Sequence, residues 1–175
     1  MGKFAIRSRA VKNKELTICG LAAVKARWES DAASIQRLFF DPAAGRKLGA
    51  ICKVLAAERK VYRSVPTAEL EKISGSKHHG GVVAVVAAPK VLNPRPADVK
   101  RWAAQRAPLL ILDRVGNAHN LGALARTAAY LGVEDIIITE SPESARPNDA
   151  AFRVAEGGLE KITVWAARDL TMLIK

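Results

Sequence analysis

Residues 109–132 constrain the fold more than any other part of this chain. The run Leu109-Leu110-Ile111-Leu112 stops at Asp113, and four apolar residues closed by a charge read as a buried strand too short for a helix. A polar turn rich in Gly and Asn follows. Asn120 then takes an N-cap position ahead of Leu121, Leu124, Ala125 and Ala128 at helical spacing. A buried strand turning directly into an amphipathic helix is the repeating unit of an α/β fold. Arg126 lies four residues beyond Gly122, so the two positions stack on one helix face. Helical side chains lean toward the N-terminus, and Gly122 is expected to leave room for Arg126 to do so. The guanidinium would then join the Asn120 amide and the free N–H groups of the helix start. Such a donor cluster would lie at the carboxyl end of a strand, where open α/β sheets place ligands.

The common phosphate loops do not explain this stretch. Gly116 and Gly122 have the wrong spacing for G-x-G-x-x-G, and no G-x-x-x-x-G-K-[ST] occurs. Charge points to a different ligand. The 175 residues carry a net charge of +11. Residues 1–88 hold 16 Lys/Arg against 7 Asp/Glu, and residues 89–175 hold 12 against 10. A strongly basic first half beside a near-neutral second half suggests that the first half meets a polyanion, and nucleic acid rewards Lys and Arg at every phosphate. No apolar stretch has the length of a membrane span, and no apolar h-region follows the basic start. Cys19 and Cys52 are isolated, each in an apolar setting read as helical, and are expected to be free buried thiols of a cytoplasmic protein. His78, His79 and His119 have no metal-ligand spacing with either cysteine, so no metal is expected.

The rest of the chain divides accordingly. Residues 1–14 form a basic tail with five basic and no acidic side chains. Residues 15–88 read as a small α/β domain. Leu21, Val24 and Trp28 mark a helix to Ser30, and Ile35–Phe40 a strand. Leu48, Ile51, Cys52 and Leu55 mark a second helix, and Val61–Val65 a short strand. Thr67 caps a third helix that ends at Ser74-Gly75, and residues 81–88 give a buried strand. Residues 89–106 hold a linker interrupted by Pro89, Pro94 and Pro96, then a helix over 97–106 with Val99, Trp102 and Ala103 on one side. In 107–175 further strands are expected at 135–139 and 162–166, with helices at 150–155 and from Asp169.

Asp113, Asn120, Gly122, Arg126, Thr127 and Gly132 together resemble motif 1 of the SpoU-type (TrmH-like) RNA ribose 2′-O-methyltransferases. Ala118 stands where that family usually has proline. Cys19-Gly20 opening the first helix, and His78-His79-Gly80-Gly81-Val82 opening the last strand of the first half, are similar to the family's N-terminal substrate-binding domain. Arg153 to Glu160 also looks like its segment between the second and third strands.

The resemblance implies a small ribosomal-protein-like α/β domain followed by the first half of an open α/β, knotted SPOUT-type methyltransferase domain. It implies S-adenosyl-L-methionine as donor and a ribose 2′-hydroxyl of rRNA or tRNA as acceptor. Arg126 would help to activate that hydroxyl, and Asn120 would position Arg126 or the substrate. Lys77, His78 and His79 are the candidate RNA contacts. A guanidinium is normally a donor only, so clamping a phosphate beside the ribose is the role its chemistry favours.

The family's glycine-rich loop and threaded end are not found before Lys175. The chain is therefore expected to be a fragment, inactive alone, without residues for the cofactor, its three strands leaving an open edge and an uncovered apolar face. A homodimer through the knotted region is expected only of a longer protein. The competing reading is a non-catalytic RNA-binding protein derived from the same family. A third, an α/β nucleotide-binding enzyme unrelated to RNA, lacks a phosphate-loop fingerprint.

Overall fold

Val82–Ala87 is an unbroken run of valine and alanine, and a run so apolar is stable only as an interior strand. In the computed structural model, which describes residues 15–174, it becomes the strand on which the first half is built. The basic tail expected over residues 1–14 lies outside the described residues. The elements run β1 (Glu15–Cys19), α1 (Leu21–Asp31), β2 (Ile35–Phe40), a single turn α2 (Pro42–Gly45), α3 (Gly49–Ala57), β3 (Val61–Ser64), α4 (Thr67–Ser74) and β4 (Val82–Ala87). The sheet order is β1-β4-β2-β3. β4 is antiparallel to both its neighbours, and β2 pairs with β3 in parallel.

Glu15–Cys19 is thus a strand, and Cys19 is its last residue rather than part of a helix. Gly20 makes the switch to α1 at φ +92, a conformation that costs glycine little. Its N–H donates to the carbonyls of His79 and Val82. Thr67 is the first residue of α4, after an N-cap at Pro66, and does not cap it with its side chain.

The second half follows the expected βα rhythm. It contains α5 (Pro96–Gln105), β5 (Leu109–Leu112), α6 (Ala118–Tyr130), β6 (Asp135–Thr139), α7 (Asp149–Ala155), a 3₁₀ turn at Leu159–Lys161, β7 (Thr163–Ala167) and α8 (Leu170–Ile174). The three strands are parallel in the order β5-β6-β7. Both faces of this sheet are covered, contrary to the expectation of an open one. Trp102 of α5 and Leu170 and Leu173 of α8 pack on Ile137 and Trp165. Leu121 and Ala125 of α6 and Phe152 of α7 share a core with Ile136 and Ile138. Among the described residues β5 pairs on one side only, with β6.

The linker is also more ordered than its prolines suggest. Leu92 pairs with β7 as a single bridge, donating to the Val164 carbonyl at 3.1 Å and accepting from Ala166 N–H at 2.7 Å. The Asn93 amide adds a bond to the Ala166 carbonyl at 2.9 Å. A free ladder edge satisfies a nearby backbone before proline restricts it further.

One hydrophobic core runs through both halves, joining Leu16, Ile18 and Val24 to Leu121, Phe152 and Leu159. α7 makes the connection. It lies across α6, and the Thr17 hydroxyl of β1 donates to Asp149 at its start, at 2.8 Å. Gly122 permits the contact with α6: a Cβ there would sit 2.5 Å from the Ala151 carbonyl oxygen and 2.9 Å from Val154 Cβ. Gly122→Ala should therefore destabilise the chain by about 2 kcal/mol through overpacking against backbone. Gly49→Ala, where a Cβ meets open space, should change stability by under about 1 kcal/mol. Urea unfolding of both variants checks this, and equal midpoints would remove Gly122 from the role.

Candidate functional site

α6 begins one turn earlier than expected. Its N-cap is Asn117, whose side-chain oxygen accepts from the N–H groups of His119 at 2.8 Å and Asn120 at 3.4 Å. Ala118 follows as the first helical residue. Alanine is the best helix former, and the first helical position also accepts proline, so the substitution noted at Ala118 leaves the turn intact. Asn120 is consequently an exposed residue of the first turn rather than the cap.

Arg126 does not lean over Gly122, because the backbone of α7 occupies that space. Its guanidinium turns instead to Glu156, with Nη2 3.0 Å from the carboxylate. Both side chains are more than half exposed, at 58% and 60%, so the pair is weak and its anion exchangeable. Asn120 and Arg126 are six residues apart, which on an α-helix is about 9 Å along the axis and roughly 120° around it. The structure does not bring them into one donor cluster.

At the strand ends, Asp113 accepts from the Thr139 hydroxyl at 3.0 Å and from Arg114 at 3.3 Å. The Thr139 hydrogen bond first, and Arg114 second, hold its carboxyl below the usual carboxylate range. Glu140 pairs with Arg168 at 3.0 Å.

The histidine turn is split. Lys77 and His78 are exposed, but His79 is buried, its Nδ1 accepting from the Gly81 N–H at 3.1 Å. His79 shapes the turn into β4 and is withdrawn from any surface contact with RNA. The thiols are half-buried, and neither is part of a disulfide. Burial pushes Cys19 up to about 11 and raises Cys52, which keeps both protonated and poor nucleophiles at neutral pH. Among the described residues no group of three or more His, Cys, Asp or Glu could hold a metal ion. No helix there is long and apolar enough to cross a membrane.

Two important residues were not singled out in the sequence. Arg27 of α1 is buried against the second half, with its guanidinium 5.4 Å from the centre of the Phe152 ring and Nη2 3.9 Å from Glu160. The signal was present: Arg27 continues the buried face of Ala23 and Val24, where a charge needs a partner. Neither carboxylate oxygen of Glu160 has a hydrogen-bond partner among the described residues.

Beside this pair, Ala22 and Ala26 of α1 face Arg126 and Tyr130 of α6 and the Gly157-Gly158 turn across a cleft of about 600 Å³. The cleft joins the two halves, with Arg126 on its wall. Residues 17–92 match the family model for RNA 2′-O ribose methyltransferase substrate binding, and residues 107–175 match that of the SpoU rRNA methylase family. The chain belongs to the SpoU family.

A Haemophilus influenzae protein named as an uncharacterized tRNA/rRNA methyltransferase is 36% identical over 157 residues, 88% of this chain and 43% of its own. A 23S rRNA (guanosine-2′-O-)-methyltransferase of Xanthomonas campestris is 32% identical over 162 residues, 90% of this chain and 64% of its own. The chain therefore spans from under half to about two thirds of the length of these SpoU relatives. Among solved structures, an rRNA methyltransferase from Sinorhizobium meliloti superposes with a TM-score of 0.65 at 18% identity, over 89% of this chain and 55% of the other. The SpoU methyltransferase AviRb from Streptomyces viridochromogenes, in complex with AdoMet, gives 0.61 at 18% over 91% and 58%. These likenesses establish the shared α/β fold.

Burial makes the Arg27–Glu160 contact between the SpoU halves pH-sensitive. It pushes the Glu160 carboxyl from the ordinary 4.5 up to about 7, against the opposing pull of Arg27. A folded-state value above the unfolded one means that stability from this group is full below about 4.5 and lost as pH rises through 7. Glu160→Gln mimics the protonated form. It should match the parent near pH 4.5 and melt higher than the parent at a pH about one unit or more above 7. A lower Tm for the variant at that higher pH would show that the ionised pair supports the fold.

Proposed function

We propose that this chain forms the RNA-recognition and acceptor side of a ribose 2′-O-methyltransferase. Its substrate would be rRNA or tRNA, and its methyl donor class S-adenosyl-L-methionine. The observation that carries this reading is the placement of Arg126. A guanidinium on motif 1 stands at the wall of a cleft shared with the basic half, held among the described residues by one exposed carboxylate. A phosphate of incoming RNA can replace Glu156 there, because a guanidinium binds phosphate through two parallel hydrogen bonds.

Arg126 then works by position. A guanidinium is a hydrogen-bond donor only and cannot itself remove the 2′-hydroxyl proton. Clamping the phosphate beside the target ribose fixes the hydroxyl oxygen, and such orientation lowers a bimolecular barrier. Asn120, exposed in the first turn of α6, is available to the substrate rather than to Arg126. Lys77 and His78 are exposed on the basic half and suit outer contacts to the RNA backbone.

We assign the donor no contacts among the described residues. A ligand of its size needs most of its surface enclosed. At the strand ends Asp113 pairs with Arg114 and Thr139, and Glu140 pairs with Arg168. The other large opening, about 720 Å³, lies between α5 and α8 and reaches the strand ends at Glu140 and Arg168, on the face of the sheet opposite α6. The part assigned to this chain is therefore acceptor binding.

The chain should bind structured RNA with an affinity that falls steeply as salt rises. Arg126→Ala should lower the slope of log K against log salt by about one. Titration at several salt concentrations reads both. No binding at low salt would overturn the assignment, and an unchanged slope for Arg126→Ala would remove its phosphate contact. The chain alone should give no measurable binding of S-adenosyl-L-methionine by calorimetry, and micromolar binding would contradict the acceptor-only assignment.

A further inference from the structure

We infer that the cleft between α1 and the wall formed by α6 and the Gly157-Gly158 turn seats an unpaired nucleotide of the RNA, with Tyr130 as the stacking platform for its base. The inference rests on the RNA reading above and assigns it a specific contact.

The floor of the cleft is made of very small residues. Ala22 and Ala26 come from α1, and Gly157 and Gly158 from the turn after α7. The two glycines resist enlargement: Gly157 sits at φ +95 with a Cβ position 3.2 Å from Ala26 Cβ, and a Cβ on Gly158 would lie 2.8 Å from the Arg126 Cα. Contact between the two backbones fixes this floor, which leaves a shallow, mostly apolar surface of the kind a flat ring can cover.

Tyr130 stands on the rim as the last residue of α6, 89% exposed. Folding gains little from an aromatic ring left in water. A ring beside a cleft of this shape is the device by which proteins hold unpaired bases, and stacking tolerates any base identity. The surrounding charges favour an anion: Lys25, Arg126 and Lys161 line the cleft against Glu29 and Glu156. Arg126 already neutralises Glu156 at 3.0 Å. Lys25 lies on the α1 side and Lys161 on the wall beyond Gly158, so phosphates on either side of a seated nucleotide have a cation within the cleft.

A polynucleotide fits these features better than a free mononucleotide. A small ligand binds by enclosure, whereas Tyr130 and its neighbour Leu131, 68% exposed, extend the contact out into solvent, where a chain continues and a single nucleotide does not. Arg126 and Tyr130 are four residues apart on α6, one above the other on the same face. A base on Tyr130 would therefore bring an adjoining phosphate toward Arg126.

The test uses the full chain and a single-stranded RNA oligomer carrying 2-aminopurine, whose fluorescence is quenched when the base stacks. Binding to the parent should quench the probe. Tyr130→Ala should lose the quenching and at least fivefold in affinity, and Tyr130→Phe should keep both. The residue is solvent-exposed, and circular dichroism of each variant confirms that the fold is retained. Lys25→Ala combined with Lys161→Ala should lower the salt slope and weaken binding, with quenching reached only at higher protein concentration. Equal affinity and quenching for Tyr130→Ala would overturn the cleft assignment while leaving the RNA reading intact. Failure of the parent to bind any RNA would instead overturn the function on which the assignment rests. Binding of AMP as tight as that of the oligomer, and lost with Tyr130→Ala, would make the site one for a free nucleotide and also overturn the proposal.

Discussion

The close approach of α7 to Gly122 is the contact on which the rest of the site depends. Because the Ala151 carbonyl oxygen lies only 2.5 Å from where a Cβ would be, α7 packs directly on the backbone of α6. Its start then reaches β1 through Asp149 and Thr17. Its end delivers Glu156 to Arg126 and lays Gly158 against the Arg126 Cα. The same glycine denies Arg126 the path toward the helix N-terminus. One small residue therefore decides that the guanidinium opens onto the cleft between the halves rather than onto the strand ends.

The backbone after α7 is bent to serve this arrangement. Glu156 adopts a left-handed conformation at φ 47, and Gly157 follows at φ 95. A non-glycine residue in that region costs about 1–2 kcal/mol, and here it places a carboxylate beside Arg126. The opposite face is held by a different device. The buried Asp135 accepts from the indole N–H of Trp102 at 2.9 Å and from that of Trp165 at 2.6 Å. The two rings meet edge to face, 5.1 Å between centres. A buried carboxylate satisfied on both oxygens is tolerable, and it fixes α5 and β7 to β6. Rigid packing on that side leaves the cleft side free to be shaped by contact between the halves.

Local patterns in the sequence were informative where one element could be read by itself. The strands at Ile35–Phe40 and Asp135–Thr139 have the bounds that their apolar runs imply, and α4 ends at Gly75 as expected. The site was legible as a set of residues but not as a geometry. Arg126 and Gly122 stood out by spacing, yet the same spacing fits two directions for the guanidinium. Only the packing of α7, a helix some thirty residues later, chooses between them. The cap moved from Asn120 to Asn117 because two asparagines three residues apart compete for one helix start, and local propensity does not separate them. His79 read as a surface residue because its neighbours Lys77 and His78 are polar, while its hydrogen bond to Gly81 turns it inward. Arg27 and Glu160 are 133 positions apart in the chain, and no local pattern links a charge in one half to a charge in the other.

The central claim is that contact between the two halves creates an RNA-facing cleft around Arg126. Hydrogen–deuterium exchange of the chain with and without RNA addresses it directly. Protection on binding should concentrate in α1, in the last turn of α6 and in the segment from Glu156 to Lys161. Protection confined to the exposed edge strand β3 and the Lys77-His78 loop, with α1 and the last turn of α6 unchanged, would contradict the account.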